Sequence, residues 1–232
     1  MDVDDPKQFY LQVVKNGIKN INLDNDPKIY HDYNNDELRF CKIPNCYTNI
    51  SINSNEDIKY VDDILSAEIL LKIYNFCMSG KHTLHSSRIH DNFNITFYNM
   101  HVSKNLYFYK LFYDVILPKI DITNKENLII DRMYYNIHKF GSPGDWHCDD
   151  RSSINYGPSF LIYCNPRWDT RWEGATAFYT NRDNLEIKYI DIKPGRIGIF
   201  QPYIEHRATD LSGYAVFDDV KRVTLAIHTI YI

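Results

Sequence analysis

From about residue 128 to residue 232 the chain is a succession of short, β-rich apolar runs with no regular helical pattern between them. The runs cover residues 128–137, 160–165, 175–179, 186–192, 196–200 and 222–232, and Gly- or Pro-containing connections such as Pro194-Gly195 separate them. Runs of this composition, bounded by turn formers, read as strands. A doubly wound α/β sheet needs a helical crossover between successive strands. The pattern therefore predicts a β-sandwich or barrel.

The preceding part, residues 1–125, reads as a helical or mixed support. In the stretch 61–80, Ile64, Leu65, Ile69, Ile73 and Phe76 fall near one helical face, and Gly80 is a stop signal. A second helix is predicted over residues 102–117, with Leu106, Tyr109, Lys110, Phe112 and Tyr113 in its pattern and Pro118 ending it. Both helices are expected to cover a sheet. No long linker or repeat divides the chain, so one compact domain is expected, with residues 1–125 packed on a β core of residues 126–232.

Composition excludes several classes. With 44% hydrophobic and 15% aromatic residues the chain can build a core, which excludes global disorder. The net charge of -4 and the scattered 26 Lys and Arg give no reason to expect a nucleic-acid surface, though a local groove can still bind RNA or a peptide. Five cysteines do not make a disulfide-dense scaffold. Cys41 and Cys46 can pair or share a metal, but no second pair completes a zinc site, and reduced thiols are the expectation. The acidic start lacks the pattern of a signal peptide, and no run reaches the roughly 18 apolar residues of a membrane span. A cytoplasmic location without membrane contact is thus expected.

The chemistry-bearing pattern is Trp146-His147-Cys148-Asp149-Asp150, which follows a loop holding Gly141, Pro143 and Gly144. Residues two apart on a strand share a face, so His147 and Asp149 can reach one metal ion. Asp150 is the rival carboxylate, and Cys148 faces the other way. His206, 57 positions after Asp149, can supply a third ligand if the sheet returns on itself. Two histidines and a carboxylate suit non-haem Fe(II) and leave positions for other ligands, although spacing alone does not separate iron from zinc. Arg222 opens the strand Arg222-Val223-Thr224-Leu225-Ala226-Ile227, with Thr224 on its face and Lys221 pointing away. An arginine fork beside a hydroxyl can hold a carboxylate; the ordinary alternative is an ion pair at a sheet edge. Trp146, Trp168 and Trp172 are candidates for a substrate cleft with Arg167, Asp169, Arg171 and Glu173 as its rim, or for a loop packed over the barrel. His82, His85 and His90 lack a coherent ligand pattern and read as a polar loop.

In order, RMYYNIHKFGSPGDWHCDD, SFLIYCNPRWDTRWEGATAFY, IKPGRIGIFQPYIEH and RVTLAIH resemble the Fe(II)/2-oxoglutarate oxygenases, especially their prolyl-4-hydroxylase-like branch, over residues 131–232. The resemblance implies a double-stranded β-helix core. It implies Fe(II) on His147, Asp149 and His206, and the distal carboxylate of 2-oxoglutarate on Arg222 with Thr224 assisting. A tyrosine of the cosubstrate pocket often stands nine positions before the first metal histidine; here that residue is His138, and Tyr135 or Tyr163 can serve instead. The usual Gly-Gly-Glu-Thr-like segment is altered to Glu173-Gly174-Ala175-Thr176, and Arg222 stands where prolyl hydroxylases often have lysine. The implied activity is O2-dependent hydroxylation of a C-H bond, releasing succinate and CO2, with ascorbate as a reductant. A prolyl or other protein residue is the first substrate expectation, and a small molecule, sugar or lipid the second. A zinc enzyme or a non-catalytic β-sandwich interaction module is the remaining alternative.

Overall fold

The computed structural model describes residues 16–28, 57–89, 93–103, 105–149, 156–181 and 183–232. Cys41, Cys46, His90 and Asp150 lie outside these residues. Among the described residues ten strands follow one another: β1 (Ile58–Val61), β2 (Thr83–Ile89), β3 (Phe93–His101), β4 (Leu128–His138), β5 (Tyr156–Tyr163), β6 (Thr176–Asn181), β7 (Glu186–Ile190), β8 (Ile197–Phe200), β9 (His206–Ala208) and β10 (Arg222–Tyr231). They form an antiparallel seven-stranded sheet, β1-β8-β5-β10-β4-β3-β2, and a three-stranded sheet, β7-β6-β9.

Alternation along the central strands gives the large sheet two different faces. Val223, Leu225 and Ile227 of β10, Met133, Tyr135 and Ile137 of β4, and Phe160 and Ile162 of β5 bury against the helical layer. The other parity, represented by Ala226, Leu161 and Tyr163, packs with Phe178, Ile190 and Phe200 in an inner core between the sheets. The candidate site lies on this inner face.

The helical layer departs from the periodicity reading in detail. Helix α1 spans Ala67–Ser79 rather than starting at residue 61, because Val61 is paired with Ile197 in β1 and Ser66 caps the helix, its hydroxyl accepting from Ile69 N at 3.2 Å. Helix α2 spans Leu106–Lys110 behind Asn105, then widens into a π turn (Leu111–Ile116) and tightens into a 3-10 turn (Leu117–Lys119). That widening buries both Phe112 and Ile116. Residues 82–89, expected as a loop, include β2, which pairs with β3. Strands β1, β2 and β3, all from the first part of the chain, thus extend the large sheet on both sides.

Candidate metal centre

His147 and His206 are brought together by the backbone. His147 N donates to His206 O at 3.0 Å and His206 N donates back to His147 O at 2.8 Å. This reciprocal antiparallel pair puts both imidazoles on one face, with ring centroids 4.4 Å apart. His147 belongs to no named strand; an isolated bridge adds it to the edge of the small sheet beside β9. Asp149, two residues on, brings Oδ1 to 3.7 Å from His147 Nε2 and 3.6 Å from His206 Nε2. One ligand atom from each of the three residues lies within 4.8 Å of the others.

The protonation pattern suits a metal. His147 Nδ1 is 2.8 Å from Asp145 O, and His206 Nδ1 is 2.8 Å from Ile204 O. A carbonyl only accepts, so each Nδ1 carries the proton and each Nε2 presents a lone pair, the usual supporting arrangement of metal-binding histidines. Burial lowers the His206 pKa to about 4 and keeps the ring neutral. Burial alone would raise the Asp149 carboxyl, but His228, His206, His147 and the Ser159 hydroxyl together hold it below the usual carboxylate range. Phe178 and Phe200 flank the His206 ring at centroid distances of 5.7 and 4.5 Å. His147 is the open side: its side chain is 41% exposed, against 7% for His206 and 5% for Asp149.

Arg222 sits on the same inner face and is 2% exposed. Its Nε donates to Gly174 O at 2.9 Å, its Nη2 donates to Thr176 Oγ1 at 2.9 Å, and the guanidinium lies 5.6 Å from the Tyr163 ring centroid. Among the described residues no carboxylate pairs with it. Glu173 and Gly174 both have positive φ, at 57° and 82°. This turn brings the Gly174 carbonyl to the guanidinium, and a Cβ on Gly174 would lie 2.5 Å from Leu211 Cδ2. Thr224 Oγ1 is buried without a hydrogen-bond partner among the described residues, as is Asn99 Oδ1. Asn99, Asn136, Thr224 and Tyr163 form one cross-strand row. A buried cation without a paired anion, beside an unmet hydroxyl, is the environment of an anion site.

The remaining candidates fall into place by strand parity. Tyr135 faces the helices, and its hydroxyl donates to Ile73 O at 3.0 Å, which corrects its candidacy for the cosubstrate pocket. Tyr135→Phe is expected to lower stability by about 1 kcal/mol through the lost hydrogen bond while leaving 2-oxoglutarate affinity unchanged; chemical denaturation and a ligand titration read the two effects. Tyr163 does face inward, and its hydroxyl meets Thr176 Oγ1 at 2.6 Å and Ile190 O at 3.1 Å. His138 pairs with Arg222 across β4 and β10. Its Nδ1 donates to Ser142 O at 2.8 Å, leaving Nε2 an acceptor rather than a donor for a carboxylate.

Trp146 points to the outer face of the small sheet, 4.1 Å from the Tyr179 ring and under Arg207 at 4.8 Å, because its neighbour His147 takes the inner face. Trp168 and Trp172 meet edge-on at 5.3 Å and pack with Leu211, Ala215 and Val220 against helix α3 (Gly213–Phe217). Trp172 Nε1 also donates to Asp218 at 2.6 Å. The loop is thus packed at its base, and Trp168 and Trp172 also line an open cavity of about 340 Å³ with Arg167, Asp169 and Asp218. Of the charged rim, Arg171 and Asp169 pair with each other at 2.6 Å. Among the described residues Cys77 and Cys164 are free and buried. Among the described residues no helix is long and apolar enough to cross a membrane.

No protein-family model and no curated protein matches this sequence. Solved structures do match. A 2OG-Fe(II) oxygenase family oxidoreductase from Burkholderia pseudomallei is similar at a TM-score of 0.57 and 13% identity, covering 75% of this chain and 85% of that one. A Pseudomonas putida prolyl-4-hydroxylase is similar at 0.55 and 11% identity, covering 76% and 93%. The non-haem α-ketoglutarate-dependent epimerase SnoN from nogalamycin biosynthesis is similar at 0.56 and 9% identity, covering 75% and 79%. The fold is the double-stranded β-helix. Within it, His147, Asp149 and His206 form the two-histidine, one-carboxylate set, and Arg222 stands on the same inner face. The residues not singled out from sequence are Thr176, Asn136, Ser159 and His228; the last three share strand parity with residues that were.

Proposed function

We propose that this double-stranded β-helix is an Fe(II)- and 2-oxoglutarate-dependent oxygenase that hydroxylates a substrate C-H bond. The observation that carries the reading is the pairing of two sites on one inner face: a metal-donor triad, and a buried arginine with no carboxylate partner among the described residues. A zinc hydrolase would need the first site only. A five-carbon dicarboxylate uses both, one end at the metal and the other at Arg222.

The residues present fit both groups. His147, Asp149 and His206 would hold Fe(II), and three protein ligands leave positions for other ligands on a six-coordinate ion. Arg222 would grip the distal carboxylate of 2-oxoglutarate, with Thr224 Oγ1 as a further donor. Tyr163 and Thr176 brace the guanidinium from beneath, so Tyr163 acts on the cosubstrate through Arg222. When bound, iron and 2-oxoglutarate supply the oxidising chemistry, by which substrate C-H, O2 and 2-oxoglutarate become C-OH, succinate and CO2. Phe178 and Phe200 keep water from the buried side of His206, and the exposed edge of His147 marks the side from which substrate approaches.

For the substrate we propose a peptidyl residue, prolyl first. The support is the prolyl-4-hydroxylase-like order of motifs and the 93% of the P. putida prolyl-4-hydroxylase covered by the match. The comparable match to SnoN puts small metabolites in the same screen. The test is an anaerobic titration of metal-free protein with Fe(II) and then 2-oxoglutarate, followed by aerobic incubation with peptide and metabolite libraries. A metal-to-cosubstrate absorption band, then substrate-linked succinate and a product heavier by one oxygen atom, is the expected result. Fe(II) binding with no band from folded protein would overturn the reading.

A further inference from the structure

The two carboxylate oxygens of Asp149 have different neighbours. Oδ1 faces the two imidazole Nε2 atoms of the triad. Oδ2 turns the other way, accepting a hydrogen bond from Ser159 Oγ at 2.6 Å and lying 3.4 Å from His228 Nδ1. Ser159 Oγ and His228 Nδ1 are 3.2 Å apart, and on the far side of the ring His228 Nε2 is 2.8 Å from the Tyr134 hydroxyl. The Tyr134 and His228 rings stack at 5.3 Å.

Sheet register builds this chain. His228 is paired with Ser159 on β5 and with Arg132 on β4, and Tyr134 is two residues further along β4 on the same face. Arg132 also reaches the metal loop itself, donating from Nη2 to Asp149 O at 3.1 Å. Both His228 and Ser159 are buried.

Proton counting gives the chain a direction. The Ser159 hydroxyl has one hydrogen, and it goes to Asp149, because an ionised carboxylate only accepts. His228 Nδ1 must then donate to Ser159 Oγ. That leaves Nε2 as an acceptor for the Tyr134 hydroxyl. The sequence Tyr134 to His228 to Ser159 to Asp149 thus satisfies each polar atom once.

We propose that His228 is a positioning residue for the metal centre, holding Asp149 through Ser159 so that the carboxylate offers the metal one oxygen only. The inference rests on reading the triad as a metal site. Its consequence is open coordination. Three single-atom protein ligands leave three positions on a six-coordinate ion, and a chelating cosubstrate uses two. A carboxylate free to swing both oxygens onto the metal would take the last one. His228 and Ser159 hold Oδ2 out of that position.

The test uses Co(II) as a spectroscopic probe in the full chain, with and without 2-oxoglutarate. The parent protein is compared with Ser159→Ala, His228→Leu and His228→Asn. Asparagine can place an N-H where His228 Nδ1 stands, so it is the conservative variant. Expected are Co(II) affinities about 10- to 100-fold weaker for Ser159→Ala and His228→Leu, as for other residues that orient a metal ligand. Their visible bands should shift, marking a changed coordination number, and His228→Asn should restore both readouts toward the parent. Ser159→Ala removes a single oxygen atom, so it carries the test if His228→Leu does not fold. Variants indistinguishable from a parent that binds Co(II) and 2-oxoglutarate would overturn the positioning role and leave the oxygenase reading standing. A parent that binds neither would overturn both.

Discussion

Asp149→Ala is expected to reduce iron-dependent turnover to that of metal-free protein while leaving the fold in place. The argument starts from the balance at this residue. Asp149 is the only anionic member of the triad, and its Oδ1 stands between the two Nε2 atoms. Without it, two uncharged imidazole donors remain, one of them 41% exposed, so water competes readily for the ion. The metal-free fold depends on Asp149 far less. A buried ionised carboxylate is costly to desolvate, and replacing buried charged groups by apolar ones is often near neutral for stability. The backbone pairing of His147 with His206 does not involve the side chain. A loss of about 1–2 kcal/mol is expected, roughly 2–8 °C in Tm for a chain of this size.

Calorimetry separates these effects. Iron at 100 times its Kd adds about 2.7 kcal/mol to a protein that binds it only when folded, or roughly 5–11 °C. The parent should show that gain and Asp149→Ala should not. Normal iron-dependent turnover in the variant would remove Asp149 from the triad. A variant that does not fold would show instead that the carboxylate belongs to the structure, and His147→Ala, altering the exposed ligand, would then carry the test of the metal site.

What the sequence made legible follows from which physical signals are local. His147 and Asp149 were readable because side chains two apart share a face, and the turn formers before them announce the loop. Arg222 was readable because β10 alternates cleanly, which put Thr224 beside it. The same parity, applied backward from His138, selects Asn136 and Tyr134 and rejects Tyr135, which lies an odd number of positions away. Residue type alone makes Tyr135 a candidate, and strand phase removes it. Ser159 and His228 were hidden for a different reason: their meeting with Asp149 depends on which strands are neighbours, and pairing of β5 with β10 is a long-range choice that no local window contains. The strands β2 and β3 were missed because a histidine- and asparagine-rich composition dominates the region. Their ladder is fixed by pairing to β4, with Met100 opposite Tyr135. Sequence proximity to His147 is a poor guide to Trp146, which packs on Tyr179 and Arg207. Trp146 is adjacent to a ligand and for that reason points away from it.

The second large effect belongs to Arg222. Arg222→Ala is expected to weaken 2-oxoglutarate binding by roughly 30- to 4000-fold, the range for truncating one member of a buried, hydrogen-bonded charge pair, about 2–5 kcal/mol. Iron affinity and kcat at saturating cosubstrate should change much less, because Arg222 touches none of the metal ligands. The size of the effect follows from how the guanidinium is held. Its Nε is engaged by Gly174 O and one Nη2 proton by Thr176, so the fork is already oriented before any ligand arrives. Little entropy remains to be lost on binding. Arg222→Lys tests that orientation separately from charge: an ammonium keeps the charge but not the fixed planar fork, so its KM for 2-oxoglutarate should fall between parent and alanine variant. Burial also disfavours the charged guanidinium in the free protein, so Arg222→Ala should cost metal-free stability little, the lost hydrogen bonds being offset by removal of an uncompensated buried charge. Succinate formation measured against 2-oxoglutarate concentration reads the KM, and denaturant unfolding reads the stability. An unchanged KM with intact iron binding would mean that the anion held by Arg222 is not the cosubstrate. A KM that rises together with a collapse in iron affinity would place Arg222 in the scaffold of the triad instead.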